Sequence, residues 1–288
     1  MTILIAGLST GSLYAIVALA CNIIFIASKV FNFAQAYILM LCTFVAFTLG
    51  NTLGLPLWAT VIGCALVGAI VGGLEEIVAV RWLAKRPGSH NELVTTLGYG
   101  LTIGGLVVLI WGTQPQALDV WDDEPVIDFL GGRFVPSDLY IIGFAILLAV
   151  GITIFMRKTM VGLSGLATAE DRSAAMLRGV NVSLLALGAF ALAGVVVGLA
   201  APLIAAKTYA VSTLANALAV KSFIVLAIGG MGSQLGAILG GFILGMVEIL
   251  AAVWLGSEWR NVAAFVLLLV VLLVLPHGLF AKRVQRVV

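Results

Sequence analysis

Three glutamates, Glu75, Glu76 and Glu248, lie within or beside long apolar runs, and acids so placed are the first residues to ask for chemistry. A carboxylate in hydrocarbon is costly, so such residues face a bundle interior, where they pair with other groups or mark a transport path. Glu76 stands five residues before Arg81, which suits a structural ion pair or an acid reaching toward the interface. Glu248, in FILGMVEILAAVW, has no basic residue within two turns, so it must meet a polar group from another helix or carry a proton. It serves either as interhelical glue or in transport, and Lys207 and Lys221, flanking TYAVSTLANALAV, are its candidate partners. Asn22, Asn32, Thr213 and Asn216 are further polar groups in apolar surroundings; with Glu248 they are the candidates for a translocation path.

Other chemistry finds little support. No GxSxG, HExxH or SxxK pattern places a nucleophile beside a base, so no catalytic residue is expected. The glycine-rich stretch 229–241, GGMGSQLGAILGG, lacks the GK[ST] ending of a phosphate loop and reads as a sharp turn between two spans. Cys21, Cys42 and Cys64 all fall inside apolar runs, an odd number that suits packing rather than a disulfide framework. His90 and His277 sit beside loop-forming residues, and no cluster suggests a metal.

The elements that must position these residues are membrane spans. The 288 residues are 62% hydrophobic and 10% charged, against roughly a quarter charged in soluble domains. Apolar runs at 3–27, 34–52, 57–80, 93–111 and 138–156, then 184–206, a short 218–230, 236–255 and 261–276, predict an all-α polytopic bundle of about 8–9 spans in one domain covering 1–288. The first run is too long for a signal-peptide core and lacks a basic leader, so it is expected to be kept as a span. Trp58, Trp82, Trp111, Trp121, Trp254 and Trp259 fall near span ends, where amphipathic rings favour the interface. Small-xxx-small pairs such as Gly68/Gly72, Gly236/Gly240 and Gly241/Gly245 predict closely approaching helices.

Charge assigns the sides. Loop 112–137 holds Asp119, Asp122, Asp123, Glu124 and Asp128 against Arg133 alone, whereas Lys29, Arg81, Lys85, Arg86, Arg157, Lys158, Arg172, Arg178, Lys282, Arg283 and Arg286 cluster in the alternate loops and the C-terminal end. The positive-inside rule then puts the N-terminus and loop 112–137 outside, and loop 157–183 and the C-terminus in the cytoplasm. A cytoplasmic C-terminus requires the short segment 218–230 to cross.

The polar insert Gly162–Asn181, GLSGLATAEDRSAAMLRGVN, stands out among these runs. Thr168 with Asp171 reads as a capping box, and Gly179 after Arg178 as a stop, predicting one helix over Ala169–Arg178. At about 15 Å it is too short to span a bilayer. Ala169, Ser173, Met176 and Leu177 share one face, opposite Asp171 and Arg178. An acidic start, Glu170 and Asp171, disfavours a membrane-surface helix and favours docking into a partner groove.

This insert, with FNFAQAY at 31–37, GGMGSQLGAILGGFILGMVE at 229–248 and VLPHGLF at 274–280, resembles the permease subunits of ATP-driven importers for branched-chain amino acids over nearly the whole chain. The most specific element is Ala167-x-Ala169-Glu170-Asp171, then Ala174, then Gly179-Val180-Asn181. The resemblance implies a coupling helix, with Ala167, Ala169, Glu170, Asp171, Ala174, Arg178, Gly179 and Asn181 docking onto an ATPase. It also implies a second, homologous permease, two cytoplasmic ATPase subunits that bind ATP and Mg, and an extracytoplasmic solute-binding protein. No cofactor is expected in this chain and no nucleic acid as a partner; the site is the inner membrane, and the mechanism is alternating access. Related members carry urea or short amides. Gln35, Ala36 and Tyr37 stand where the family often has His-Gly-Glu, and Leu166 where it commonly has a basic residue. The alternative is a proton-coupled secondary transporter using Glu248.

Overall fold

A computed structural model of the chain describes residues 1–81, 91–118, 126–129, 132–275 and 278–280. Trp82, Lys85, Arg86, His90, Asp119, Trp121, Asp122, Asp123, Glu124, His277, Lys282, Arg283 and Arg286 lie outside the described residues.

The apolar runs form helices within about two residues of the predicted limits, except at the short segment. In order these are α1 (Thr2–Ser28), α2 (Gln35–Phe47), α3 (Leu57–Glu75) and α4 (Asn91–Trp111), then α5 (Pro136–Lys158), α6 (Met160–Glu170), α7 (Arg172–Leu177) and α8 (Val182–Thr208). Helices α9 (Leu214–Gly229), α10 (Gln234–Trp254) and α11 (Trp259–Val274) complete the bundle. Among the described residues, seven helices are long and apolar enough to cross a membrane, with α9 and α11 as shorter apolar helices. The chain is a multi-pass membrane protein. Among the described residues the acidic loop also carries a small antiparallel hairpin, β1 (Ile127–Phe129) with β2 (Gly132–Phe134), which sets Asp128 opposite Arg133.

Local chemistry sets the ends. Pro136 stands in the first turn of α5, where no amide hydrogen is needed. Lys29 adopts φ 60° and its amide donates to Phe25 O at 2.9 Å, closing α1. Both α2 and α3 finish in a π-helical turn, Thr48–Thr52 and Glu76–Val80. The second explains the predicted Glu76–Arg81 pair: five residues apart on an α-helix would diverge, but the wider winding brings Arg81 Nη2 to 2.7 Å from Glu76 Oε2.

Glycines set the closest helix contacts. A Cβ on Gly194 of α8 would lie 1.9 Å from Gly68 O of α3, and one on Gly245 of α10 would lie 2.3 Å from Gly7 O of α1. These backbones touch as the small-xxx-small spacing predicts.

The predicted short crossing is α9, which begins at Leu214, four residues earlier than the hydropathy run. Its preceding segment pairs with the segment that follows α4 through the Gln116–Ala210 bridge, on the face that carries the hairpin. Its far end, the turn at Gly229–Ser233, lies against the other end of α1, where the Gly232 amide donates to Asn22 Oδ1 at 2.7 Å. Thr2 Oγ1, at the start of α1, accepts from the Arg133 amide in the hairpin at 2.9 Å. So α9 runs from the hairpin face to the opposite one. After α11 the chain returns to the same turn, where the amides of Leu279 and Phe280 donate to Ile228 O and Gly229 O at 2.8 and 3.1 Å.

Candidate functional site

The polar insert at 157–183 folds as two short helices rather than one. Helix α6 starts at Met160, capped by Thr159 Oγ1, which accepts from the Gly162 amide at 3.0 Å. Thr168 is therefore already mid-helix, and its hydroxyl donates to Ser164 O at 2.8 Å. The predicted Thr168–Asp171 capping box does not form, because a helix is running through Thr168 before its side chain could start one. Asp171 takes the capping role: it breaks the helix with extended backbone and its Oδ1 accepts from the amides of Ser173 and Ala174 at 2.8 and 2.9 Å. The predicted stop is present, with Gly179 at φ 86° and the Val180 amide donating to Ala175 O at 3.1 Å. Asn181 then caps α8, accepting from the Leu184 amide at 3.0 Å.

Burial separates the residues of this loop. Ala175 is buried, while Ala167, Glu170, Asp171, Ala174, Arg178, Gly179 and Asn181 are exposed and Ala169 is half-buried. Met176 is 52% exposed and Leu177 90% exposed. A short helix in a polar loop thus presents large apolar side chains outward, next to Arg172 and Arg178.

The candidate path residues divide into two groups. Asn22, Asn32 and Glu248 are fully buried and act as ties between helices. Asn22 holds the Gly232 turn, and Asn32 Nδ2 donates to Glu75 Oε2 at 2.9 Å. Glu248 Oε2 accepts from Tyr14 Oη at 2.8 Å and from Lys221 Nζ at 2.9 Å, with Arg260 Nη2 at 3.9 Å. Of the two lysines proposed from sequence, Lys221 is the partner. Lys207 instead joins Asp138 and Ser9, linking the ends of α8, α5 and α1 at the hairpin face. Thr213 and Asn216 remain exposed on α9, where Asn216 Oδ1 accepts from Tyr37 Oη at 2.6 Å.

Four contributors were missed in the sequence. Tyr14 sits in an apolar α1, and Arg260 follows a loop; neither carries a spacing signal. Gln35 and Tyr37 were noted only as departures from a motif, yet Gln35 Nε2 donates to Ala193 O at 2.8 Å and Tyr37 anchors Asn216.

Residues 3–275 match the family described as branched-chain amino acid transport system, permease component. The permease protein LivH of the high-affinity branched-chain amino acid transport system of Escherichia coli K12 is 27% identical, over 98% of this chain and 96% of its own length. BraD, the corresponding permease protein of Pseudomonas aeruginosa, is also 27% identical, over 99% of this chain and 97% of its own. Among solved structures, PsaBC from Streptococcus pneumoniae in complex with Fab shares the fold with a TM-score of 0.51 at 16% identity, over 96% of this chain and 93% of that one. The family match spans nearly the whole bundle, from the first helix to the end of the last, and the chain belongs to the permease components of branched-chain amino acid transport systems.

Proposed function

We propose that this permease serves an ATP-driven importer for branched-chain amino acids and is moved by a separate ATPase subunit docked on the loop 157–183. The observation that carries the reading is Leu177, 90% exposed on α7 beside the half-exposed Met176. Apolar side chains offered from a polar loop suit a protein groove, with Glu170, Asp171, Arg172 and Arg178 around them to fix the register. Positive charge at Arg157, Lys158, Arg172 and Arg178 supports a cytoplasmic position for this face, and the acidic hairpin loop an extracytoplasmic one. The N-terminus then lies outside, and a solute-binding protein would deliver cargo to the hairpin face. Two ATPase subunits binding ATP and Mg, and a second permease, complete the assembly in this reading; Ala167, Ala169, Ala174, Gly179 and Asn181 shape the docking loop.

The proton-coupled alternative takes Glu248 as the proton carrier. Lys221 at 2.9 Å gives it a partner, so the acid is explained without a proton cycle.

Reconstitution tests the proposal. Vesicles containing this chain, its companion permease and the ATPases should take up labelled leucine only with ATP and the binding protein, unaffected by collapse of a proton gradient. Uptake that follows the gradient and ignores ATP would reject it.

A further inference from the structure

The surfaces that α3, α4, α5 and α11 turn outward are built of large apolar side chains, such as Leu66 on α3, Leu109 on α4, Leu147 on α5 and Leu273 on α11, each 60% exposed or more. They suit lipid. Helix α9 differs. Over its first two turns the uncovered face carries Thr213, Asn216, Ala217 and Val220, an i, i+3, i+4, i+7 spacing that places them on one stripe, with Phe223, 37% exposed, beyond them. Asn216 gives its oxygen to Tyr37, and its amide nitrogen has no partner among the described residues. The Thr213 hydroxyl does not cap the helix it precedes. Unpaired amide and hydroxyl groups in hydrocarbon are costly, so this stripe fits water better than lipid.

Lys221 borders the stripe one turn beyond Ala217, about 10 Å along α9 from its start. Its side chain is 15% exposed. Behind it, Lys221 and Arg260 both approach the same oxygen of Glu248, at 2.9 and 3.9 Å. Two cations therefore share one carboxylate, and the cluster holds a surplus positive charge. Glu248 Oε1, within the fully buried carboxyl, has no hydrogen-bond partner. A surplus cation at the edge of the stripe complements the anionic group of a molecule passing along it.

We propose that the uncovered face of α9 is a wall of the water-filled translocation path, and that Lys221 receives the carboxylate of a zwitterionic cargo passing along it. The cargo class rests on the amino-acid permease reading; the wall does not. When the carboxylate arrives, Lys221 Nζ, which donates to Glu248 Oε2 and to Tyr14 Oη at 2.9 Å each, exchanges part of these contacts for the cargo, while Arg260 remains beside Glu248. Covalent bonds do not change.

Single cysteines at Thr213, Asn216, Ala217 and Val220 test this in the assembled transporter in vesicles. Native Cys21, Cys42 and Cys64 are 0–1% exposed, which keeps the background low. Leu273→Cys, on the 82% exposed face of α11, is the lipid control. Membrane-impermeant thiol reagents should modify the four α9 positions at least about tenfold faster than position 273. At Ala217→Cys an anionic reagent should outpace a cationic one by about tenfold, since local charge raises encounter by this order. Lys221→Met should abolish that preference and Lys221→Arg keep it, a result that a merely structural lysine would not give. Saturating leucine, with its binding protein, should slow modification. Equal, slow modification at all five positions, or disulfides forming across two permeases at Thr213→Cys, would show a lipid or subunit face and overturn the wall. An anion preference unchanged in Lys221→Met would overturn the role of Lys221. Leucine uptake by the same vesicles separates the two readings: uptake without modification rejects the wall and leaves the permease reading standing. Modification without leucine uptake or protection keeps the wall and rejects the amino-acid cargo.

Discussion

Asp171→Ala removes the acceptor for two amides, Ser173 N and Ala174 N, at 2.8 and 2.9 Å from Asp171 Oδ1. Helix α7 has six residues, well under the roughly 12 at which an isolated helix begins to hold in water. It therefore depends on its ends and on Ala175, which is buried at 4% exposure. Loss of an N-cap costs about 1 kcal/mol, within a range of about 0.5–2. The freed amides are at the surface and water replaces part of the loss, so the larger penalty for buried groups does not apply. About 1 kcal/mol corresponds to roughly fivefold in the ratio of ordered to frayed α7. Fraying displaces Met176 and Leu177, so bound ATPase should fall with it. Asp171→Asn keeps an acceptor of equal capping strength. Amide hydrogen exchange over residues 171–178 should therefore accelerate about fivefold in Asp171→Ala and stay near wild type in Asp171→Asn, and the yield of co-purified ATPase should follow the same order. Unchanged exchange in the alanine variant would refute the capping argument. So would loss of ATPase from the asparagine variant with exchange unchanged, which would make the carboxylate a direct charge contact.

Two further perturbations probe the bundle. Glu248→Leu strands Lys221 and Arg260 and should cost about 3–5 kcal/mol, read as a lower thermal aggregation midpoint; adding Lys221→Met should restore much of it, because removing both partners of a buried pair is far milder than removing one. Gly194→Leu forces a side chain where a Cβ already sits 1.9 Å from Gly68 O, while Gly188 on the same helix faces open space. The first should cost at least about 1–3 kcal/mol and impair membrane assembly, and Gly188→Ala should leave expression and stability unchanged.

The spans were legible because a bilayer imposes one requirement, an unbroken apolar helix, and hydropathy reports it directly. Helix α9 was cut short because Asn216 and neighbouring small residues lower the hydropathy of its first turn, although its backbone is helical from Leu214. The polar insert was located, but its internal break was not. Thr168 and Asp171 are both capping residue types, and choosing between them required knowing that α6 already begins at Met160. The hairpin at Ile127–Phe134 was hidden by its three-residue strands. Long-range partners were the hardest part. Glu248 needed a polar group, as its position predicts, but selecting Lys221 over Lys207 depends on how α9 and α8 pack, and Arg260 and Tyr14 gave no signal at all. Polarity within a span likewise marked Asn22, Asn32 and Asn216 equally, and only burial separates the ties from the exposed residue.

In the proposed importer a partner ATPase grips α7. Leu177→Asp places a charge on the most exposed apolar side chain of that loop without touching the bundle, since Leu177 is 90% exposed. Uptake of labelled leucine, measured with ATPase co-purification from the same membranes, is the direct test. The expected result is a folded permease at normal abundance that loses both the ATPase and ATP-driven uptake by tenfold or more, about 1.4 kcal/mol of docking energy. Full retention of ATPase and uptake in Leu177→Asp would contradict the assignment of α7 as the coupling surface.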